Sequence, residues 1–357
     1  MPPANDALQH ALSEAKWAFT SRRVRAADVH GIRADLSGAV SGDLVLGEVT
    51  QLGQHRRIQL ANGRHSEAYV GDLVVLACGG RYAPDQFEGV AELDSQGADL
   101  IAGGGLLGKM RHAHDNMAAP TRVRPLGLLS DAAGAVINIA RYALPHGPVP
   151  ENLAVILVVG ASMNAGKTTA AASLARGLSR AGWRVAGIKA TGTGAFGDFN
   201  TFRDAGLSVV ADFTDAGMAS TYMQPAERIE RGFEALVAHA GAEGAGVAVV
   251  ELADGVLQEE TARLLRSSRL RPMLAGVMFA TPDAVGAVGG VTVLRELDLE
   301  PFAVSGTITC SPLAAAEAEA ATRVPVVSRD ALCDPRRAVA LTSQFLPPDR
   351  GWPRKVA

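Results

Sequence analysis

The run Leu153-Ala-Val-Ile-Leu-Val-Val159 leads through Gly160 into Ala161-Ser162-Met163-Asn164-Ala165-Gly166-Lys167-Thr168-Thr169, and an Ala/Leu-rich stretch, Ala170 to Leu178, comes next. An apolar run, a short polar turn and a helix-forming stretch read as buried strand, tight loop and helix. The loop fits the phosphate-binding pattern of a small residue, four residues of any kind, then Gly-Lys-Ser/Thr. Ala161 fills the first place, and Gly160 falls one position early. Backbone N–H groups around Asn164 to Thr168 are expected to converge on one hollow and bind phosphate oxygens. A helix beginning near Gly166 adds the positive end of its dipole. Gly166 has no Cβ, so the backbone there can approach an anion closely. Lys167 is expected at the terminal phosphates and Thr168 at a Mg²⁺ ion, with Thr169 beside it. The competing reading is a plain strand-to-helix turn that binds nothing.

The rest of the chain sets the frame for that loop. Its 357 residues are enough for two domains. With 48% hydrophobic and 20% charged residues it can bury a sizeable core, as a globular protein does. A net charge of −3 gives no general pull toward nucleic acid or anionic membranes. Cys78, Cys310 and Cys333 lie far apart and match no zinc or redox spacing, which suits a reduced cytoplasm. No basic-then-apolar leader is read at the N-terminus, and no run approaches the ~20 apolar residues of a membrane span. The expectation is a cytoplasmic protein with no membrane segment.

Residues 1–145 are expected to form a β-rich N-terminal domain with its connector. The opening stretch, Asn5 to Phe19, reads as a helix. Short strands are expected at Leu44–Thr50, Arg57–Leu60, Asp72–Ala77 and Glu88–Ala91, with Asn62-Gly63 suited to a type I′ hairpin turn. Close strand spacing without a helical period points to a small all-β barrel or sandwich. Gly103-Gly104-Gly105-Leu-Leu-Gly108-Lys109-Met110 also spells Gly-x-x-x-x-Gly-Lys, but Met110 cannot ligate Mg²⁺ as Ser/Thr would. It reads as a flexible turn in a connector covering residues 96–150. His112, His114 and Asp115 lack distant metal-binding partners and read as a polar loop. Asp131 to Leu144 reads as a helix, and Pro145-His-Gly-Pro-Val-Pro150 as a linker.

Over residues 151–357 strand and helix patterns alternate. Strands are expected at Leu153–Val159, Arg184–Lys189, Val247–Leu252, Leu274–Phe279, Ala303–Ile308 and Val324–Val327. Helices are expected at Lys167–Arg180, Pro225–Ala240, Gln258–Ser267, Ala287–Glu296 and Leu313–Thr322. This α/β pattern means a parallel sheet covered on both faces, with ligands at the carboxyl ends of the strands.

Several polar groups fall at those ends. Lys189 closes the second strand and leads into a loop carrying Thr191 and Thr193, which places an ammonium where a phosphoryl group in flight would need one. Asp198 is a candidate metal ligand or water positioner, and Arg203 and Asp204 read as a surface ion pair. Thr191, Thr193, Asp215, Ser220, Thr221, Tyr222 and Asp254 are candidates to line a substrate pocket. A carboxylate closing an apolar strand is the acidic motif that holds Mg²⁺, and a buried one needs a cation; Glu251 and Asp254 both qualify, and Glu251 is the preferred metal candidate. Thr307–Ser311 and Ser328–Asp330 are candidates to cradle the base. No Asn/Thr-Lys-x-Asp tetrad is present, so adenine is favoured over guanine.

Gly166-Lys-Thr-Thr169, Arg184-Val-Ala-Gly-Ile-Lys189 with its Thr/Gly loop, and Val249-Val-Glu251 resemble the P-loop class containing dethiobiotin synthetase and the molybdopterin-guanine dinucleotide biosynthesis protein B. That class also includes signal-recognition GTPases, MinD-type ATPases and cobyric-acid-type amidotransferases. The resemblance covers roughly residues 151–330. It implies a P-loop NTPase domain with Mg²⁺ at Thr168, Asp198 and Glu251, and Lys167 and Lys189 on the phosphates. The Gly-Thr-Asp-Thr opening of dethiobiotin synthetase is missing, and the N-terminal module is foreign to it. Because related folds often place their sites at dimer interfaces, a homodimer is also expected. The leading expectation is an ATP-dependent, Mg²⁺-requiring kinase or ligase acting on a small molecule, with GTP as the other nucleotide. The alternative is a nucleotide-switched accessory ATPase or GTPase in cofactor biosynthesis or partner assembly. A polynucleotide kinase fits less well, since the chain is acidic and has no basic-aromatic stripe.

Overall fold

The structure, a computed structural model, describes residues 4–347. The chain divides into two compact units, and the first is not contiguous in sequence. It takes in Met1–Leu144 together with Gly192–Phe196 and Phe213–Gln224, and the second holds the remainder.

In the first unit α1 (Ala4–Glu14) precedes β1 (Lys16–Trp17), β2 (Gly31–Arg33), β3 (Leu44–Gln51), β4 (Arg57–Gln59), β5 (His65–Glu67), β6 (Leu73–Cys78), β7 (Phe87–Val90), β8 (Ala98–Ala102), β9 (Leu106–Ala113) and β10 (Thr121–Ser130). The main sheet runs β1-β6-β3-β10-β8-β9-β7, and a further pairing of β6 with β9 closes five of these strands into a ring. Successive residues of β6 enter two different cores. Val74, Leu76 and Cys78 pack with Val45, Leu100 and Leu107. Val75 and Ala77 pack with Leu44, Ile101 and Leu129, and Leu12 of α1 covers that second face. Burial on both faces explains why the stretch reads as unbroken apolar sequence rather than alternation.

The first unit departs from the sequence reading at four places. The helix stops at Glu14, because Trp17 is drawn into a parallel pair with β6. The hairpin of β4 and β5 turns through Gly63 at φ 83°, with its N–H on the Leu60 carbonyl. Asn62 is not left-handed, so the turn is not type I′, which needs positive φ at both central residues. The expected connector holds three strands, β8, β9 and β10, with Gly103–Gly105 as the tight turn between the first two. The helix expected over Asp131–Leu144 is a turn followed by one short 3₁₀ segment, Ile139–Tyr142.

The second unit is a six-stranded parallel sheet. Its elements are β11 (Ala154–Gly160), α2 (Lys167–Arg180), β12 (Val185–Lys189), α3 (Phe196–Asp204), β13 (Val209–Asp212), α4 (Ala226–Ala242), β14 (Val247–Glu251), α5 (Glu259–Leu265), β15 (Leu274–Ala280), α6 (Ala284–Arg295), β16 (Pro301–Ser305), α7 (Pro312–Thr322), α8 (Arg329–Cys333) and α9 (Pro335–Thr342). The strand order is β13-β12-β14-β11-β15-β16. Every residue of β11 is buried, as a central strand of a doubly covered sheet must be. Chain order reverses around β11, so the loop after it opens at a switch point where ligands of such sheets bind.

Val324–Val327 does not form a strand; Val326 makes only a single parallel bridge to Val304. The sequence reading did not identify β13, which is four residues long with two half-buried positions. Nor did it foresee α8 and α9, which pack on α2. A Cβ at Gly177 of α2 would lie 2.1 Å from the Leu332 carbonyl oxygen, so that helix contact requires glycine. Among the described residues no helix is long and apolar enough to cross a membrane.

Candidate functional site

Strand register assembles the site before any side chain is considered. In the parallel sheet Lys189 of β12 pairs with Glu251 of β14, and Val158 of β11 pairs with the same glutamate. Paired residues of neighbouring strands point to the same face. Lys189 and Glu251 therefore emerge side by side at the carboxyl ends, next to the turn that ends β11.

That turn is held by backbone from three neighbours. The Ala161 N–H donates to the Ala280 carbonyl and the Val256 N–H to the Gly160 carbonyl. The Thr307 N–H donates to the Ala165 carbonyl at 3.1 Å. Gly306, at φ 102°, permits this: a Cβ there would stand 2.3 Å from the Ala165 oxygen. Asn164 and Gly166 are both left-handed, at φ 61° and 92°. Gly166 is the N-cap of α2 and no side chain caps the helix, so its first-turn amides keep their positive dipole end for another acceptor. Ala165 and Lys167 are buried, Met163 is half-buried, and Ser162, Asn164 and Thr169 are exposed.

Side chains then converge on the start of α2. The Thr168 hydroxyl lies 3.0 Å from Asp198 Oδ1 and 3.0 Å from Glu251 Oε1. It has one proton, so it can donate to only one of the two. Lys189 Nζ is paired with Asp198 Oδ2 and lies 3.9 Å from Glu251 Oε1. Lys167 folds back on the loop and donates to the Ser162 carbonyl at 2.7 Å. Burial lowers its pKa from the usual lysine value, while Glu251 and Asp254 act in the opposite sense and Lys189 adds to the lowering. Two ammonium groups thus face two carboxylates, Asp198 and Glu251, with Asp254 close behind at a left-handed φ of 60°.

A divalent ion fits this donor set. Glu251 is 2% exposed, and its Oε2 is buried with no hydrogen-bond partner. Leaving a buried carboxylate oxygen unpaired is costly. Mg²⁺ is commonly held by one or two carboxylates and a hydroxyl, the remaining positions going to water and phosphate. Thr168, Asp198 and Glu251 offer that combination. Among the described residues no group of three or more His, Cys, Asp or Glu forms a metal site, so a cage built wholly of such side chains is not on offer.

The residues expected to surround an acceptor separate into two sets. Thr191 stays in the second unit, where its hydroxyl accepts the Ala253 N–H at 2.8 Å. Thr193, Asp215, Ser220, Thr221 and Tyr222 belong to the first unit. There Asp215 is ion-paired with Arg22 at 2.7 Å, Tyr222 donates to Glu88 at 3.0 Å, and Thr221 Oγ1 accepts the Gly192 N–H at 2.9 Å. The expected Arg203–Asp204 pair is replaced by Arg203 lying over the Phe199 ring. Ser311 and Ser328 cap α7 and α8. The brace from Gly306 and Thr307 was missed by the sequence reading, and a glycine just past a strand was the signal for it.

Comparison with known proteins gives no match to a family model and none among curated proteins. Solved structures do show similarity. The signal recognition particle 54 kDa protein from Aeropyrum pernix K1, in complex with GDP, is 24% identical with a TM-score of 0.36 over 56% of this chain and 49% of that one. The chain thus spans about half the length of that protein. The signal recognition particle receptor FtsY from Elizabethkingia anophelis, in complex with GDP, is 16% identical with a TM-score of 0.35 over 58% and 67%. FtsY from Mycoplasma mycoides is 15% identical with a TM-score of 0.34 over 57% and 71%. At these identities and TM-scores the likeness says nothing of activity. Signal-recognition proteins were among the relatives that the sequence resemblance named; dethiobiotin synthetase and the molybdopterin-guanine dinucleotide protein are not among these three.

Proposed function

We propose that the second unit binds a nucleoside triphosphate, ATP or GTP, with Mg²⁺ at residues 161–169 and cleaves its terminal phosphoanhydride. The observation that supports this best is the Thr168 hydroxyl, 3.0 Å from both Asp198 and Glu251 on the first turn of an uncapped helix. The loop amides and the helix dipole would hold the phosphate tail. Lys167 exchanges the Ser162 carbonyl for a phosphate oxygen, which suits an ammonium that burial disfavours. Mg²⁺, when bound, supplies charge neutralisation across the phosphate oxygens. The chain's own part is positioning and electrostatic stabilisation, which carry most of the catalysis in this reaction class. Titration with fluorescent ATP and GTP analogues in the presence of Mg²⁺, beside a phosphate-release assay, tests the proposal. No measurable binding of either nucleotide would end it.

Within that frame we read the chain as a nucleotide-switched accessory NTPase rather than a small-molecule kinase or ligase. Several of the groups expected around an acceptor already bond within the first unit, as Asp215 does with Arg22 and Tyr222 with Glu88. The segments after β12 and β13, by contrast, are structural parts of that unit. Slow hydrolysis accelerated by a protein partner is the expected behaviour. A metabolite that drives stoichiometric release of nucleoside diphosphate would restore the transferase reading.

A further inference from the structure

Lys189 is placed to do more than meet a phosphate. Its ammonium lies between the two carboxylates offered to the metal, paired with Asp198 Oδ2 and 3.9 Å from Glu251 Oε1. The contact with Glu251 is sheltered, with the Lys189 side chain 14% exposed and that of Glu251 2%, while that of Asp198 is 32% exposed. The Thr168 hydroxyl lies 3.0 Å from each of the same two acids and can donate its one proton to only one of them. Lys167, the other cation here, is held on the Ser162 carbonyl. A monovalent ammonium and a divalent ion competing for one pair of carboxylates repel each other strongly in a partly dry site.

We propose that Lys189 is an internal counter-cation that keeps divalent metal off Asp198 and Glu251 until an anionic phosphate tail draws its ammonium away. Metal and nucleotide then enter together, because each removes what opposes the other. The coupling is reciprocal, as any binding linkage must be. Lys189 is thus a positioning residue for the metal as well as a phosphate contact. This rests on the reading of Thr168, Asp198 and Glu251 as the metal's ligands.

The test uses the full chain and Mn²⁺ alone, followed by electron paramagnetic resonance, so that no nucleotide and no turnover enter the first readout. Lys189→Met is expected to bind Mn²⁺ at least about tenfold more tightly than the wild type. Lys189→Arg, which keeps the charge, should stay near the wild type. Adding Glu251→Gln to Lys189→Met should abolish the gain. A folded Lys189→Met protein with unchanged Mn²⁺ affinity would overturn the proposal, as would an equal gain from Lys189→Arg. If Lys189→Met does not fold, Lys189→Gln carries the same expectation with a side chain that can still hydrogen-bond. The wild type alone gives a further check: micromolar Mn²⁺ binding without nucleotide contradicts the proposal whatever the variants do. A second arm adds nucleoside diphosphate, which should tighten Mn²⁺ binding in the wild type far more than in Lys189→Met. Failure of the diphosphate to bind would count against the nucleotide site itself and leave the first arm standing.

Discussion

Two stretches of this chain spell nearly the same motif and come to opposite ends. Gly103 to Lys109 and Ala161 to Lys167 both read as a small residue, four others, then Gly-Lys. The first is a β-turn running into β9, where Gly108 and Lys109 continue the strand. The second opens a helix. Lys109 is 58% exposed and paired with Glu92, while Lys167 is 6% exposed among Glu251, Asp254 and Lys189. The glycines differ as well. Gly104 serves packing, since a Cβ there would fall 2.0 Å from the Gly194 carbonyl oxygen. Gly166 serves conformation, at φ 92° as a helix N-cap. A helix offers uncapped amides to an anion, whereas strand amides are used up in the ladder. The chemistry of such a motif is therefore decided by whether a strand or a helix continues it.

The contrast is most exposed to failure at the two lysines. Lys167→Ala is expected to lower nucleotide affinity or turnover by at least about 100-fold, as loss of a charge-stabilising group in a sheltered site does. Lys109→Ala should leave both within about twofold, since surface changes away from the site seldom matter. Equal effects in a nucleotide titration would erase the distinction between the two loops.

The glycines give the next largest effects. Gly104→Ala should cost about 1–3 kcal/mol in denaturant unfolding, because the backbone it meets cannot move aside as a flexible side chain could. Gly166→Ala should cost about 1–2 kcal/mol for the left-handed conformation and should also weaken nucleotide binding. Gly104→Ala should not alter affinity in protein that remains folded.

Acidity sharpens the first half of the comparison alone. His55, whose Nδ1 lies 3.7 Å from where a Gly103 Cβ would stand, is pushed down to about 4 by burial and then by the Arg81 guanidinium. A folded-state value below the unfolded one near 6.5 means that the unfolded chain binds the proton first. Stability from this group is therefore complete above about pH 6.5 and is lost as pH falls toward 4. The expected loss is on the order of 2 kcal/mol, and a His55→Gln variant should flatten that part of the profile. Urea unfolding between those two pH values measures it. The smallest effect belongs to the Lys109–Glu92 pair: both side chains are more than half exposed, and Glu92→Ala should shift stability by less than about 1 kcal/mol.

Legibility tracked the physics of each region. The parallel sheet announced itself because buried strands such as Ala154–Gly160 and Val247–Glu251 carry unbroken apolar runs, the second of four residues ending in Glu251. Lys189, Asp198 and Glu251 were legible as candidates because strand ends and helix starts in such sheets face one crevice. The β-rich half was harder. Its helix was read five residues too long, since Trp17 is claimed by a strand, β6, far along the chain. Strands β8 and β9 hid behind a glycine turn that looked like a connector. Segments 192–196 and 213–224 carried no local sign that they complete the first unit.

The residues alone determined the alternation of strand and helix after position 151, the loop with its lysine, and the acids and cations that are candidates to serve it. These depend on side chains within a few positions of one another, where period and turn chemistry act directly. Only the tertiary structure decided that Lys189 lies between Asp198 and Glu251, that Thr168 bridges those acids, that Gly306 and Thr307 brace the loop, and that Asp215 and Tyr222 answer to Arg22 and Glu88. Such contacts are set by strand register and by packing between residues far apart in sequence, and no local pattern encodes them.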